Sequence, residues 1–206
     1  ACDNVIEYNH IHHLGTGDMS DMGGIYMLGP QGGSEIRGNC IHDITKANYG
    51  GWGIYLDEGS SCIVVEKNLV YNTDSEALFI NYGKENMIRY NILSAGKNET
   101  VGIGRTMSHI TATFLQNIFV FDDRAAVFGR SQVCFEDRTI IFDCNYYCSL
   151  SGGEPTVTVG EPGREDNKIF LWNEWQSMGY DMGSHIVSDI FKDNSFELKK
   201  DAEVFK

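Results

Sequence analysis

The sequence predicts an all-β chain wound as a parallel β-helix, and three observations carry that expectation. Asn residues in similar surroundings fall at 9, 39, 68, 91, 117 and 145, at intervals of 30, 29, 23, 26 and 28 residues. An independent aliphatic series, Ile25, Ile54, Leu78, Ile103 and Val127, steps by 29, 24, 25 and 24 residues, so two features keep one period. The third observation is texture: segments of 4 to 6 residues rich in Ile, Val, Phe and Tyr, bounded by Gly, Asn, Asp and Ser, with no helical periodicity across a whole repeat. Coils of that length stack two or three short strands at roughly 4.8 Å per coil.

The unit is clearest from Gly50 to Asn72, two apolar strands joined by a polar Gly-Ser turn and closed by an Asn. Upstream it reads Gly24 to Leu28, a Gly-rich turn, then Ser34 to Ile41; downstream it reads Ala77 to Asn81, Tyr82-Gly83-Lys84, then Asn86 to Ile92. Each repeated Asn is expected at a bend, because Asn tolerates left-handed geometry and its amide can join a ladder along the stack. Residues 1 to 9 enter the first coil without a capping helix, so the chain reads as the C-terminal part of a longer β-helix, its first coil covered by additional polypeptide. After Asn145 the rhythm fades through Ser151-Gly152-Gly153, an extended Thr156 to Val159 and a polar turn at Glu161-Pro162-Gly163. Asp166 to Met178 is expected as a short helix over the last coil, which divides the chain into coils at 1–160 and a C-terminal cap at 161–206.

Composition narrows the function. A net charge of −13 over 206 residues argues against nucleic acid and anionic membranes, which need clustered Lys and Arg, and no apolar run approaches a membrane span. The 6 Cys show no Cys-x-x-Cys spacing, so no zinc site is expected; a disulfide from Cys144 to Cys148 or Cys134 stands against free buried thiols. Asn98-Glu99-Thr100 is a glycosylation sequon at Asn98, consistent with a secreted, extracellular protein. The chain opens with Ala and carries no signal peptide, which reads as a mature, trimmed or fragmentary chain.

Five strings, Ser20 to Tyr26, Ile41 to Ile44, Tyr49 to Tyr55, Asp57 to Ser61 and Tyr82 to Asn86, resemble one group of proteins. These are right-handed parallel β-helix carbohydrate-active enzymes of the pectate-lyase-like superfamily, similar to the glycoside hydrolases that include α-L-fucosidases and xylanases. The resemblance covers residues 4 to 125 closely, and Trp172 to Trp175 through Asp189 to Phe191 is similar to the group's C-terminal pattern. It implies a secreted enzyme acting on a polysaccharide. Relatives are longer at the N-terminus, and they often carry His where this chain has Asn81.

Strand alternation then sorts the side chains. With the aliphatic series inward, the next position outward reads Tyr26, Tyr55, Phe79, Gly104 and Phe128, and the third reads Leu28, Asp57, Asn81, Thr106 and Arg130. The preceding outward column, Gly24, Gly53, Ala77, Gly102 and Ala126, is small, so a sugar is expected to lie close to the backbone beside an aromatic ladder and a polar row. Glycoside hydrolysis needs two carboxyl groups, roughly 5 to 9.5 Å apart according to stereochemistry. Asp57 and Glu58 at a strand end and Asp21 in the preceding coil are the candidates for catalysis, although Asp before Gly is also a common turn residue. His12, Tyr26, Tyr55, Asn81, Tyr82 and Arg105, with Lys84 further out, are the candidates for substrate contact. His12 and His42 take the same place in successive coils with His10 and His13 beside them, a cluster able to hold substrate or metal or simply to stack.

Three functions compete: a glycosidase on a neutral or deoxy-sugar polysaccharide, a polysaccharide lyase, and a non-catalytic extracellular module for glycan binding or assembly. The acidic chain and the absence of a clustered Arg or Lys set favour the glycosidase, and Asn81 favours the module. No cofactor or metal is expected, with Ca²⁺ entering only through the lyase reading.

Overall fold

The computed structural model describes residues 1–204 apart from 95, 131–132, 161–166 and 194, and only the backbone of 133–134. The first coil holds β1 (Val5–Glu7), β2 (His10–Leu14) and β3 (Gly23–Met27); the second holds β4 (Glu35–Arg37), β5 (Cys40–Ile44) and β6 (Trp52–Leu56). The third holds β7 (Val64–Glu66), β8 (Leu69–Thr73) and β9 (Leu78–Ile80); the fourth holds β10 (Asn86–Arg89), β11 (Ile92–Ser94) and β12 (Val101–Ile103). Then come β13 (Ala112–Leu115), β14 (Ile118–Phe121) and β15 (Val127–Gly129), a single helical turn α1 (Val133–Glu136), and β16 (Ile140–Asp143), β17 (Tyr146–Ser149) and β18 (Val157–Val159). First strands stack as one parallel sheet from β1 to β16, second strands as another from β2 to β17, and third strands as a third from β3 to β18. The expected parallel solenoid is what the chain builds.

The bend between the first and second sheets explains the Asn series. Asn9 and Asn39 each donate both backbone N–H and Nδ2 to the next Asn Oδ1 at 3.0 Å, and the pattern runs on through Asn68, Asn91 and Asn117 to Asn145. Left-handed geometry falls one residue earlier than expected: Tyr8, Gly38, Lys67, Tyr90, Gln116 and Cys144, each just before an Asn, have φ between 53° and 64°. A non-glycine residue there costs about 1–2 kcal/mol, and the two hydrogen bonds each Asn supplies offset it. The Asn is therefore selected for its amide rather than for its backbone.

The core runs along the axis, with Ile36, Ile41, Ile54, Val65, Leu78, Ile88, Ile103 and Phe114 among its fully buried members. Two details of the third sheet depart from the sequence reading. Leu78 pairs with Val101, and Val101 with Val127, so the fourth coil is offset by two residues from the expected series. The outward row after the aromatics is therefore Asp57, Asn81, Gly104, Arg130, and the aromatic column passes through Gly102. The small column at Gly24 and Gly53 faces inward, not outward: a Cβ on Gly53 would lie 2.1 Å from the Val70 side chain, and one on Gly24 2.6 Å from that of Ile41. Where the chain enters this sheet two successive residues point into the core, which breaks strict alternation and demands a small first residue.

Past β18 the chain turns back as β19 (Lys168–Phe170), antiparallel to β18, and α2 (Trp172–Ser177) follows. The expected helix is thus shorter and begins later, because 168–170 extend the third sheet; Asp166 and the turn at Glu161-Pro162-Gly163 lie outside the described residues. β20 (His185–Val187) then adds to the second sheet beside β17. Under α2, buried Asp181 accepts from Asn145 Nδ2 at 3.2 Å, Ser184 Oγ at 2.5 Å, Trp175 Nε1 at 2.8 Å and Tyr147 OH at 2.8 Å. Cys144 and Cys148 are free thiols, which removes the expected disulfide from Cys144: it is exposed at the bend, while Cys148 is buried among Ile118, Val120 and Ile190. At the other end, no described strand pairs with the open edges of β1, β2 and β3.

Candidate functional site

The outer face of the third sheet carries an aromatic cluster. Tyr26 meets Tyr55 edge-on at 5.0 Å, Tyr55 meets Phe79 at 5.5 Å, and Trp52 stacks on Phe79 at 4.6 Å with Tyr49 edge-on beyond it. Trp52, Tyr55 and Phe79 are each only 3% exposed, so they largely cover one another, and Tyr26 and Tyr49 are the rings left open to solvent at the two ends. Gly102 makes room for this packing, since a Cβ there would sit 2.6 Å from the Phe79 ring and 3.0 Å from Glu76.

Asp57 directly follows β6 at one rim of the cluster. Tyr26 OH donates to its Oδ2 at 2.6 Å and Asn81 Nδ2 to its Oδ1 at 3.0 Å. Burial works to raise its pKa, but the hydrogen bonds from Tyr26, Asn81, Tyr55 and the Glu58 backbone outweigh burial and hold it below the usual carboxylate range. Asp21, on the bend before β3, moves the other way: partial burial lifts its pKa first, and the negative charge of Asp57 lifts it further. The Tyr26 phenol is pushed up to about 12, chiefly by its bond to Asp57, and Tyr55 is raised by burial and the same carboxylate. Two carboxyl groups with opposite shifts therefore flank the aromatic cluster, Asp21 before β3 beside Tyr49 and Gly50 and Asp57 after β6, and Asp21 feels the charge of Asp57.

The remaining expected residues divide. Glu58 is exposed in the turn after Asp57. Asn81 reaches the site, and its Oδ1 is buried with no hydrogen-bond partner, as is Arg130 Nε in the same row. Tyr82 and Arg105 form their own pair one corner away, the guanidinium 5.5 Å from the ring centre. His12 does not flank Asp21: it belongs to β2 in the second sheet, and its ring neighbours are His10, His13 and His42. Asn98 lies beside Glu99, while the sequon's Thr100 is fully buried with its hydroxyl on Val120 O at 3.1 Å.

Sequence reasoning passed over Glu76. Trp52 Nε1 donates to its carboxylate at 2.6 Å, and burial, with Glu99 of the next coil adding to it, pushes Glu76 up to about 7. Glu76 lines a cleft of about 220 Å³ with Lys46, Tyr49, Trp52, Phe79, Asn98 and Arg130 among its walls. The cleft gathers two cations that are far apart in the chain, so the absence of a basic cluster in the sequence does not carry over to the surface. A signal was present: Trp52 and Glu76 are 24 residues apart, the same step that separates Ile54 from Leu78. Glu76, bonded to Trp52 at the start of β6, stands toward the opposite end of that strand from Asp57.

With fold and site in view, the comparison with family models is decisive. The model described as a right handed beta helix region matches residues 1–140. The chain belongs to the right-handed β-helix family. No curated protein and no solved structure matches it. Members of this family include carbohydrate-active enzymes and other proteins, so membership fixes the winding of this β-helix and leaves its chemistry to the site.

Proposed function

We propose that this β-helix is a glycoside hydrolase, acting on a polysaccharide laid against the outer face of the third sheet. One observation carries the reading: Asp21 and Asp57 are shifted in opposite directions, and the charge of Asp57 is among the causes of the Asp21 shift. A raised carboxyl is the general acid that protonates the leaving oxygen; an ionised partner serves as nucleophile or base. Tyr26, open beside Asp57, offers a flat face to a sugar ring. Lys46 and Arg130 extend the substrate range to carboxylated sugars further along the face.

A specific observation favours a second reading, a glycan-binding module without catalysis. Asp57 is 9% exposed and both its oxygens are engaged, which suits a brace for Tyr26 and Asn81 better than a nucleophile. The test is a panel of fucosides, xylans and uronate polymers assayed for reducing ends and for unsaturated products, alongside calorimetric binding. Hydrolysis is expected from the wild type, with Asp21→Asn and Asp57→Asn each slower by about 100-fold or more at nearly unchanged affinity. Binding with no turnover by the wild type would establish the module instead, and unsaturated products would establish a lyase.

A further inference from the structure

The second sheet presents a cluster of imidazoles and a thiol that the site described above does not use. His10 and Cys40 are register partners on adjacent strands, as are His12 and His42, so alternation brings His10, His12, Cys40 and His42 to one outward face. His10 Nε2 and His42 Nε2 lie 2.7 Å apart, and one ligand atom each from His10, Cys40 and His42 falls within 4.8 Å of the others. We propose that His10, Cys40 and His42 bind a transition-metal ion of the Zn²⁺ class, with the fourth position open to water or to a ligand.

Several features of the surroundings support this assignment. His42 Nδ1 donates to Asp43 Oδ2 at 2.7 Å, which fixes the tautomer and leaves the Nε2 lone pair facing His10 and Cys40. Asp43 is itself held by Asn72 Nδ2. A carboxylate behind a ligating imidazole is the usual outer support of a zinc histidine. Tyr71 stacks on the His42 ring at 4.7 Å and 13°, fixing the plane of the imidazole from the adjacent coil.

Tetrahedral binding, with metal–nitrogen distances near 2.0–2.1 Å and a metal–sulfur distance near 2.3 Å, separates ligand nitrogens by roughly 3.3 Å. The two nitrogens must therefore move apart by about 0.6 Å, which exposed His10 allows by rotating its ring. Two imidazoles and a thiol are borderline-to-soft donors, suited to Zn²⁺, Co²⁺ or copper and poorly suited to Ca²⁺ or Mg²⁺. On binding, the Cys40 thiol gives its proton to solvent and the sulfur lone pair goes to the metal. The charge of the ion favours the thiolate over the thiol. Spacing rules miss such a site because its ligands come from stacked coils, 30 and 32 residues apart, rather than from one knuckle.

Titration of the whole chain with Zn²⁺ by calorimetry, and with Co²⁺ by absorbance, tests the assignment. One ion per chain is expected, with a thiolate-to-cobalt charge-transfer band and a higher melting temperature. Cys40→Ser should abolish the band, and His10→Ala or His42→Ala should weaken binding at least tenfold. Asp43→Asn should weaken it by about tenfold or more without removing the band. Cys2→Ser and Cys62→Ser should bind as the wild type does, and circular dichroism checks that each variant keeps the β-helix. No Zn²⁺ uptake at micromolar protein, or a band that survives Cys40→Ser, would overturn the assignment.

Discussion

Asp57 accepts the Tyr26 hydroxyl at 2.6 Å across one step of the solenoid, and that bond ties an open ring of the aromatic cluster to the carboxylate beneath it. Tyr26→Phe removes one of the hydrogen bonds that keep Asp57 ionised. The expected outcome is a rise in the Asp57 pKa, read by carboxyl NMR titration, with little loss of stability because Tyr26 is 43% exposed. An unchanged Asp57 titration would show that Asn81, Tyr55 and the backbone suffice.

The directions of the two shifts set the pH dependence of hydrolysis. Asp57 must be ionised, which holds above its lowered pKa; Asp21 must be protonated, which holds below its raised one. Activity is therefore expected in an acidic window between the two and should fall as pH rises through the Asp21 value. Asp21→Asn should erase that upper limb in a kcat/KM profile, whereas His12→Ala should leave it in place.

Glu76 makes a prediction about stability. Its folded pKa of about 7 lies above the ordinary 4.5, so the folded state holds the proton more tightly. The sign follows: the contribution is complete below pH 4.5 and is lost as pH rises through about 7. Its size is on the order of a few kcal/mol for a shift of this kind. Glu76→Gln keeps an acceptor for Trp52 Nε1 and should flatten the fall in melting temperature between pH 5 and 8, the difference from wild type isolating Glu76 from the histidines.

The ladder should show a gradient of tolerance. Asn91→Ala leaves the N–H and Nδ2 of Asn68 in the preceding coil and the carbonyls of Val65 and Arg89 without their partner, which costs about 2–4 kcal/mol. Asn9→Ala, at the exposed end, should cost under about 1 kcal/mol. Urea denaturation of the two variants checks the ranking, and equal losses would mean that the ladder contributes little.

The fold was legible because the ladder demands one residue type per coil, so Asn recurs where almost any polar residue would serve a single turn. The site was legible only in part. Val101 and Ile103 are both aliphatic and both inward, so either fits the repeat, and the glycines beside them give no outward signal to choose between them. Gly53 looked outward because alternation was taken as strict, and the bend at the sheet entrance suspends it. Asp57, Asn81 and Tyr26 came from the correctly registered coils and do meet. His12 was grouped with the third-sheet residues as a substrate contact, although a strand boundary puts it in the second sheet among the other histidines. Glu76 stood at a coil boundary, where a polar residue reads as part of a turn.

The asparagine ladder also has a direction. Every rung donates N–H groups toward the C-terminal coils and presents Oδ1 toward the N-terminal ones, so the side-chain amide dipoles add along the axis as peptide dipoles do along a helix. The positive pole of that column arrives at Asn145, and the group waiting there is the carboxylate of Asp181 rather than a seventh amide. Burial raises the Asp181 pKa, yet the pole of the column favours its charged form, much as a helix N-terminus favours an anion. An acid at this position closes a stack that an Asn would have invited to continue, since it accepts from the last rung and, once ionised, has no proton to offer a further one.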